Sequence, residues 1–184
     1  MVGIVLLWLA LANSGTLLNK VKAANIAVDT RKAQVACIKA QAKRLIGTRE
    51  SGGNNRGPRV DSIIRFAGGK PGQAWCSYTM IYLWKKCGIP REGTNGMALS
   101  WAKSSKAISK EQVNVTDVFT VFNKYLGRIG HVGMVYDVYP EEPFFKSFEG
   151  NINSRGDRES NNSIAGCLMR EYSVANGFYR WVEK

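Results

Sequence analysis

Cys76 stands where a glycine-rich turn, Gly72-Gln73-Ala74-Trp75, runs into the apolar stretch Ser77-Tyr78-Thr79-Met80-Ile81-Tyr82-Leu83-Trp84. That stretch ends in Lys85-Lys86-Cys87, then Gly88 and Pro90, which are last-turn cations followed by helix stop signals. A thiol at the first turn of such a helix meets the positive end of the dipole and the unpaired first amides, and both favour thiolate over thiol. The same amides can hold a developing oxyanion. A cysteine of ordinary pKa is mostly protonated at neutral pH and needs a base beside it. The chain has 1 histidine, His131, in Gly130-His131-Val132-Gly133-Met134-Val135-Tyr136, which reads as a strand with small residues around the imidazole. A lone histidine in an apolar strand is more often a packed core residue than a base.

Chain order changes that balance. Downstream lies Phe144-Phe145-Lys146-Ser147-Phe148-Glu149-Gly150-Asn151, a strand in which Glu149 can accept from the imidazole and Asn151 can donate to a substrate or orient the pair. Alone, Gly150-Asn151 reads equally as a hairpin turn. Cysteine at a helix start, histidine on a later strand and a polar residue on the next strand is the arrangement of papain-like thiol hydrolases, where the third group fixes the imidazole tautomer.

Trp75-Cys76, Gly130-His131-Val132-Gly133 and Glu149-Gly150-Asn151 together resemble the CHAP family, the cysteine- and histidine-dependent amidohydrolases and peptidases of the NlpC-type papain-like group. The resemblance runs over roughly residues 45–182 and takes in Gly53-Asn54-Asn55-Arg56-Gly57-Pro58 and Thr116-Asp117-Val118-Phe119. Family members usually carry Gly-Asp at the latter, so Thr116 is a departure. The resemblance implies an α+β, papain-like fold with N-terminal helices packed on a C-terminal antiparallel sheet. It implies peptidoglycan as substrate, cut between muramic acid and L-alanine (an amidase) or within the peptide (an endopeptidase). It makes Cys76 the nucleophile, His131 the general base and then acid, Glu149 the imidazole's partner and Asn151 an accessory polar group. No cofactor or metal is expected; some family members resemble calcium-binding forms, but no Asp-x-Asp loop is present here.

The elements that must position these groups read as helices first and strands after, an α+β signature. A helix is expected over Asp29 to Ile46, capped by Asp29 or Thr30 and ended by Gly47, with Val35, Ile38, Ala42, Leu45 and Ile46 on one face and basic residues opposite. Residues 48–57 are loop, and Pro58 opens a short helix through Val60, Ile63, Ile64 and Phe66 that stops near Gly68-Gly69. Asn55 and Arg56 either line the substrate groove, Arg56 pairing with a stem-peptide carboxylate, or simply form the turn. Trp75 is a groove wall or core packing, and family position tilts it to the groove. Ala98-Leu99-Ser100-Trp101 is a possible short helix. Strands follow at Val118 to Phe122, Val132 to Val138, Phe144 to Phe148, Ile164 to Tyr172 and Phe178 to Val182. The polar stretch 150–163 is expected to border substrate entry.

Residues 1–24 read as a separate signal-like or membrane-targeting segment ahead of a hydrolase domain at 25–184. No ionisable side chain precedes Lys20, the apolar run has signal-core length, and Ala10-Leu11-Ala12 offers a cleavage site. The usual basic start is missing, and Lys20 and Lys22 follow the run instead, which suits an inverted anchor. A mis-assigned start or a buried N-terminal helix are the other readings. The 184 residues, 45% hydrophobic and 22% charged, fit one domain with a real core. The balance of 26 Lys and Arg against 14 Asp and Glu, a net +12, predicts attraction to anionic wall polymers or membrane surfaces. Nucleic acid is not expected, since no helix-turn-helix, zinc or RNA-stacking signature is present. A monomer, exported or membrane-associated in periplasm, cell wall or extracellular space, or delivered by a phage, completes the expectation. Cys37, Cys87 and Cys167 read as buried free thiols, with one disulfide open to them in an oxidising compartment. A basic non-catalytic binding protein and a secreted toxin acting on a protein amide are the alternative functions.

Overall fold

The computed structural model describes residues 2–153 and 162–182. Helices α1 (Val2–Leu45), α2 (Pro58–Phe66) and α3 (Cys76–Lys86) precede strands β1 (Ala107–Ile108), β2 (Val118–Asn123), β3 (Arg128–Val138), β4 (Phe144–Ile152), β5 (Ile164–Glu171) and β6 (Gly177–Tyr179). The strands form one antiparallel sheet in the order β1-β6-β2-β3-β4-β5. This is the α+β class with helices packed on a C-terminal antiparallel sheet.

Alternation along the strands separates two apolar layers. Val118, Val132, Met134 and Phe148 join the core beneath the helices, where Ile38 and Leu45 of α1, Ile63 and Ile64 of α2 and Met80, Ile81 and Trp84 of α3 are fully or almost fully buried. Phe119, Val135, Phe145 and Phe178 form a second cluster, their rings packed edge-on at centroid distances of 5.1 and 5.7 Å. Helix α3 sits so close to β4 that a Cβ at Gly150 would collide with the Thr79 side chain. Only glycine lets the helix that begins at Cys76 lie there. Trp84, Trp101 and Trp181 stack edge-on in sequence at 5.4 and 5.2 Å, tying α3 to the C-terminal segment.

Three expectations are corrected. The helix expected to begin at Asp29 is continuous from Val2, and Thr30 Oγ1 donates back to Ile26 O at 2.9 Å instead of capping. Asn13, Ser14, Gly15 and Thr16 do not break it, because such residues cost a helix interior at most about 1 kcal/mol each. Val35, Ile38, Ala42 and Leu45 pack on the body, whereas Ile46 lies past the helix end and is exposed. Cys37 and Cys87 are not free thiols but a disulfide joining α1 to the C-cap of α3; Cys167 remains a thiol. The last strand ends at Tyr179 instead of Val182, and the short β1, invisible in an otherwise polar stretch, pairs with it. Among the described residues no helix is long and apolar enough to cross a membrane. Most of the stretch 150–163, namely 154–161, lies outside the described residues.

Thr116 occupies a backbone position whose geometry favours glycine. Its φ is +70°, in the left-handed region, and it is buried, between the Thr116 N to Val135 O bond of 2.8 Å and Asp117, whose carboxylate is forked by Arg180 at 2.9 and 2.6 Å. A β-branched residue there costs roughly 1–2 kcal/mol. Thr116→Gly is therefore expected to raise unfolding free energy by about 1 kcal/mol in urea titrations. The Cys37–Cys87 crosslink spans 50 residues, so reduction or Cys37→Ser should lower stability by about 4 kcal/mol in the same assay.

Candidate active site

Cys76 is the first residue of α3 and is 2% exposed. Residues on either side of it are fastened. Trp75 Nε1 donates to buried Glu50 Oε1 at 2.9 Å. Ser77 Oγ donates to Asn95 O at 2.5 Å and accepts from Trp101 Nε1 at 2.9 Å. Thr79 Oγ1 returns to Trp75 O at 2.8 Å. No side chain caps α3. The amides of a helix's first turn can receive an incoming oxygen.

His131, on β3, is 8% exposed and its Nε2 lies 2.6 Å from Glu149 Oε2 on β4. Cys76 is the imidazole's other polar neighbour, close enough to act on its protonation. Because Glu149 occupies Nε2, the nitrogen left for the thiol is Nδ1, which is buried and makes no hydrogen bond within the described residues. Glu149 itself is completely buried. Arg170 of β5 forks it, Nε to Oε1 and Nη2 to Oε2, both at 2.8 Å, and the Ser147 hydroxyl donates to Oε1. Gly133, across the ladder, leaves room where a Cβ would strike Glu149 Cγ.

Burial alone would discharge both groups. For His131 burial lowers the pKa, but hydrogen bonds to Cys76 and Glu149 and their negative charges outweigh it and hold the imidazole above its ordinary value. For Glu149 burial raises the pKa, and Arg170 and then His131 overcome it, holding the carboxyl below its ordinary range. The arrangement can therefore keep a thiolate, an imidazolium and a carboxylate in line, which is the resting state of a thiol nucleophile with its acid-base partner.

The structure thus brings Cys76, His131 and Glu149 into one chain and leaves the other sequence candidates outside it. Asn151 is 1% exposed with φ +61° beyond a bulge in β4, and its Oδ1 has no partner among the described residues. Trp75 is fully buried, so it packs and offers no groove wall. Asn55 has φ +56° and accepts from Gly72 N at 3.2 Å, a turn role, while Arg56 is held by Asp61 at 3.2–3.3 Å. A groove of about 440 Å³ is lined by Gln73, Ala74, Tyr78, Asn95, Gly96 and Met97, the first three of them close to Cys76 in sequence. Among the described residues no group of three or more His, Cys, Asp and Glu could hold a metal. Arg170 and Ser147 were not foreseen. Ser147 shares Glu149's face by simple alternation, whereas Arg170 is found only through the β4–β5 register.

Fold and site together define an α+β protein with a helix-borne thiol facing a histidine-carboxylate pair on the sheet. The crystal structure of the wild-type endolysin LysIME-EF1 is similar, with a TM-score of 0.52 over 82% of this chain and 65% of that one, at 16% identity. This chain spans 65% of that protein's length, and the likeness is one of fold. No family model and no curated protein sequence matches the chain.

The pKa directions set the pH dependence of stability. His131, raised, stabilises fully below the ordinary imidazole value and loses that contribution as pH rises through its folded value. Glu149, lowered, stabilises above the ordinary carboxylate range and loses it as pH falls through its folded value. Thermal unfolding should therefore show a plateau on the mildly acidic side, between the ordinary carboxylate value of 4.5 and the ordinary imidazole value of 6.5, with loss on both sides. In His131→Gln the part of the alkaline decline that belongs to the imidazole should vanish; an unchanged alkaline limb would contradict the raised imidazole.

Proposed function

We propose that this protein is a peptidoglycan hydrolase of CHAP type, cutting an amide of the wall peptide by a thiol mechanism, as N-acetylmuramoyl-L-alanine amidase or as endopeptidase. The observation that carries the reading is Cys76 at a helix start beside a histidine that is hydrogen-bonded to buried Glu149. The fold shared with an endolysin supports the substrate class, and the net charge of +12 suits an anionic wall. The Cys37–Cys87 disulfide supports work outside a reducing cytoplasm.

In this scheme Cys76 Sγ, as thiolate, attacks the scissile carbonyl carbon, and the α3 amides receive the oxyanion. The C–N bond breaks as His131 passes its Nδ1 proton to the leaving amine. A thioester remains. His131 then takes a proton from water, the hydroxide adds to the thioester carbonyl, and the C–S bond breaks to give a carboxylic acid product and the thiolate again. Glu149 remains ionised throughout and compensates the imidazolium. The groove beside Gln73 and Gly96 receives the peptide.

Purified peptidoglycan incubated with the full chain should release soluble fragments bearing new free amines or free lactyl-muramic ends, resolved by mass spectrometry. Cys76→Ala and His131→Ala should each lower release by at least about a thousandfold, as loss of a nucleophile or its base does. Equal wall binding by all three proteins with no fragments from any would sink the reading.

A further inference from the structure

We propose that Arg170 is a positioning residue of this site: its fork on Glu149 fixes which ring nitrogen of His131 carries the proton and so aims the basic nitrogen at Cys76. The inference rests on the thiol chemistry proposed above, and on geometry first. An ionised carboxylate only accepts hydrogen bonds. Glu149 meets His131 at Nε2, so while Glu149 is ionised Nε2 must be the donor and Nδ1 is left to exchange a proton with the thiol. A protonated Glu149 has an O–H to donate, Nε2 becomes the acceptor, and the neutral ring then carries its hydrogen on Nδ1, facing Cys76. That tautomer cannot take the thiol's proton. The choice between a working base and an idle one is therefore made at the carboxyl group.

Nothing in solvent can make that choice, since Glu149 is wholly buried. The two Arg170 contacts at 2.8 Å engage both carboxylate oxygens, and this side chain is only 14% exposed. A planar, always-charged fork also fixes the carboxylate plane, which a point charge does not. Ser147 adds one neutral donor to Oε1. The ionisable groups facing Glu149 are His131 from β3, Cys76 from α3 through His131, and Arg170 from β5. Cys167 of β5 lies farther off, with Lys146, Asp137 and Lys39 around it. Arg170 is the one permanent cation in contact with the carboxylate among these groups. Its charge-assisted contacts run to Glu149, so it acts on the site through Glu149 and His131.

The test reads the thiol directly and needs no wall substrate. The rate of iodoacetamide alkylation is followed against pH at the Cys76 peptide by mass spectrometry, for wild type, Arg170→Met and Arg170→Lys. In Arg170→Met the rise of Cys76 reactivity should move to higher pH by about one unit or more, a tenfold loss near pH 6. Arg170→Lys restores the charge without the fork, so its rise should return toward the wild-type position while kcat on peptidoglycan stays at least about tenfold down with KM little changed. An Arg170→Met profile that superimposes on wild type overturns the proposal. Should Arg170→Met fail to fold by circular dichroism, the lysine variant decides, and wild-type kcat together with a wild-type profile would overturn it. A shifted alkylation profile with no wall cleavage by wild type leaves Arg170's role standing and removes only the substrate.

Discussion

The site depends on keeping a carboxylate ionised where there is no water. Moving such a group out of solvent unpaired is prohibitive, and a lone buried carboxyl simply takes up a proton. Glu149 escapes that because four donors converge on its two oxygens: Arg170 twice, Ser147 and His131. Each comes from one end of the sheet, from the adjacent strands β3, β4 and β5, and their meeting is a matter of register. Glu149 stands opposite Gly166, Ser147 opposite Leu168 and Phe145 opposite Arg170. A slip of one residue in β4 would turn Glu149 and Ser147 to the face where Phe148 now packs. The second aromatic cluster, Phe119, Phe145 and Phe178, makes that slip costly because it anchors the opposite alternation.

The thiol half of the site is positioned by a different set of contacts that ends on the same strand. Residues following α1 run along β5, with Gly47 N bonded to Ala165 O and Ala165 N to Thr48 O. Glu50 is thereby held with its carboxylate on Ser163 N and on the Trp75 indole, the residue before Cys76. β5 therefore supports both halves: Arg170 at one end steadies the acid, and residues 163–165 at the other steady the turn into α3. This is why a site assembled from residues 76, 131 and 149 needs so much of the chain to be in place.

Much of this was legible beforehand because local signals agreed with one another. Pro58 and Gly68 bracketed α2, Gly72 and Gly88 bracketed α3, and alternation marked β2 to β5, so the order of thiol, imidazole and carboxylate could be read directly. Signals without local expression were not legible. The Cys37–Cys87 bond and the Arg170 fork depend on partners far apart in sequence, and β1 has two residues. The start of α1 was misplaced because Asp29 and Thr30 are good cap types, but a cap needs a chain break, and none occurs there. Trp75 was drawn toward the groove by its neighbour; its buried hydrogen bond to Glu50, 25 residues earlier, could not be foreseen.

A free thiol, Cys76, and a cystine coexist in this one chain, and the helix that carries both explains how. Cys76 begins α3 and Cys87 follows its last residue, so the helix holds them about 16 Å apart. Disulfide exchange needs sulfurs in contact, and cysteines can bridge only when their Cα atoms lie within about 7 Å. Cys87 is already matched to Cys37 at 5.9 Å. Cys76 can reach neither without α3 unwinding, and α3 is the most thoroughly buried helix of the fold, from Cys76 to Trp84. The remaining thiol, Cys167, has its pKa pushed up by burial, which lowers its thiolate fraction and its appetite for exchange. Oxidation that closes the Cys37–Cys87 bond thus spares Cys76, because a rigid helix separates them.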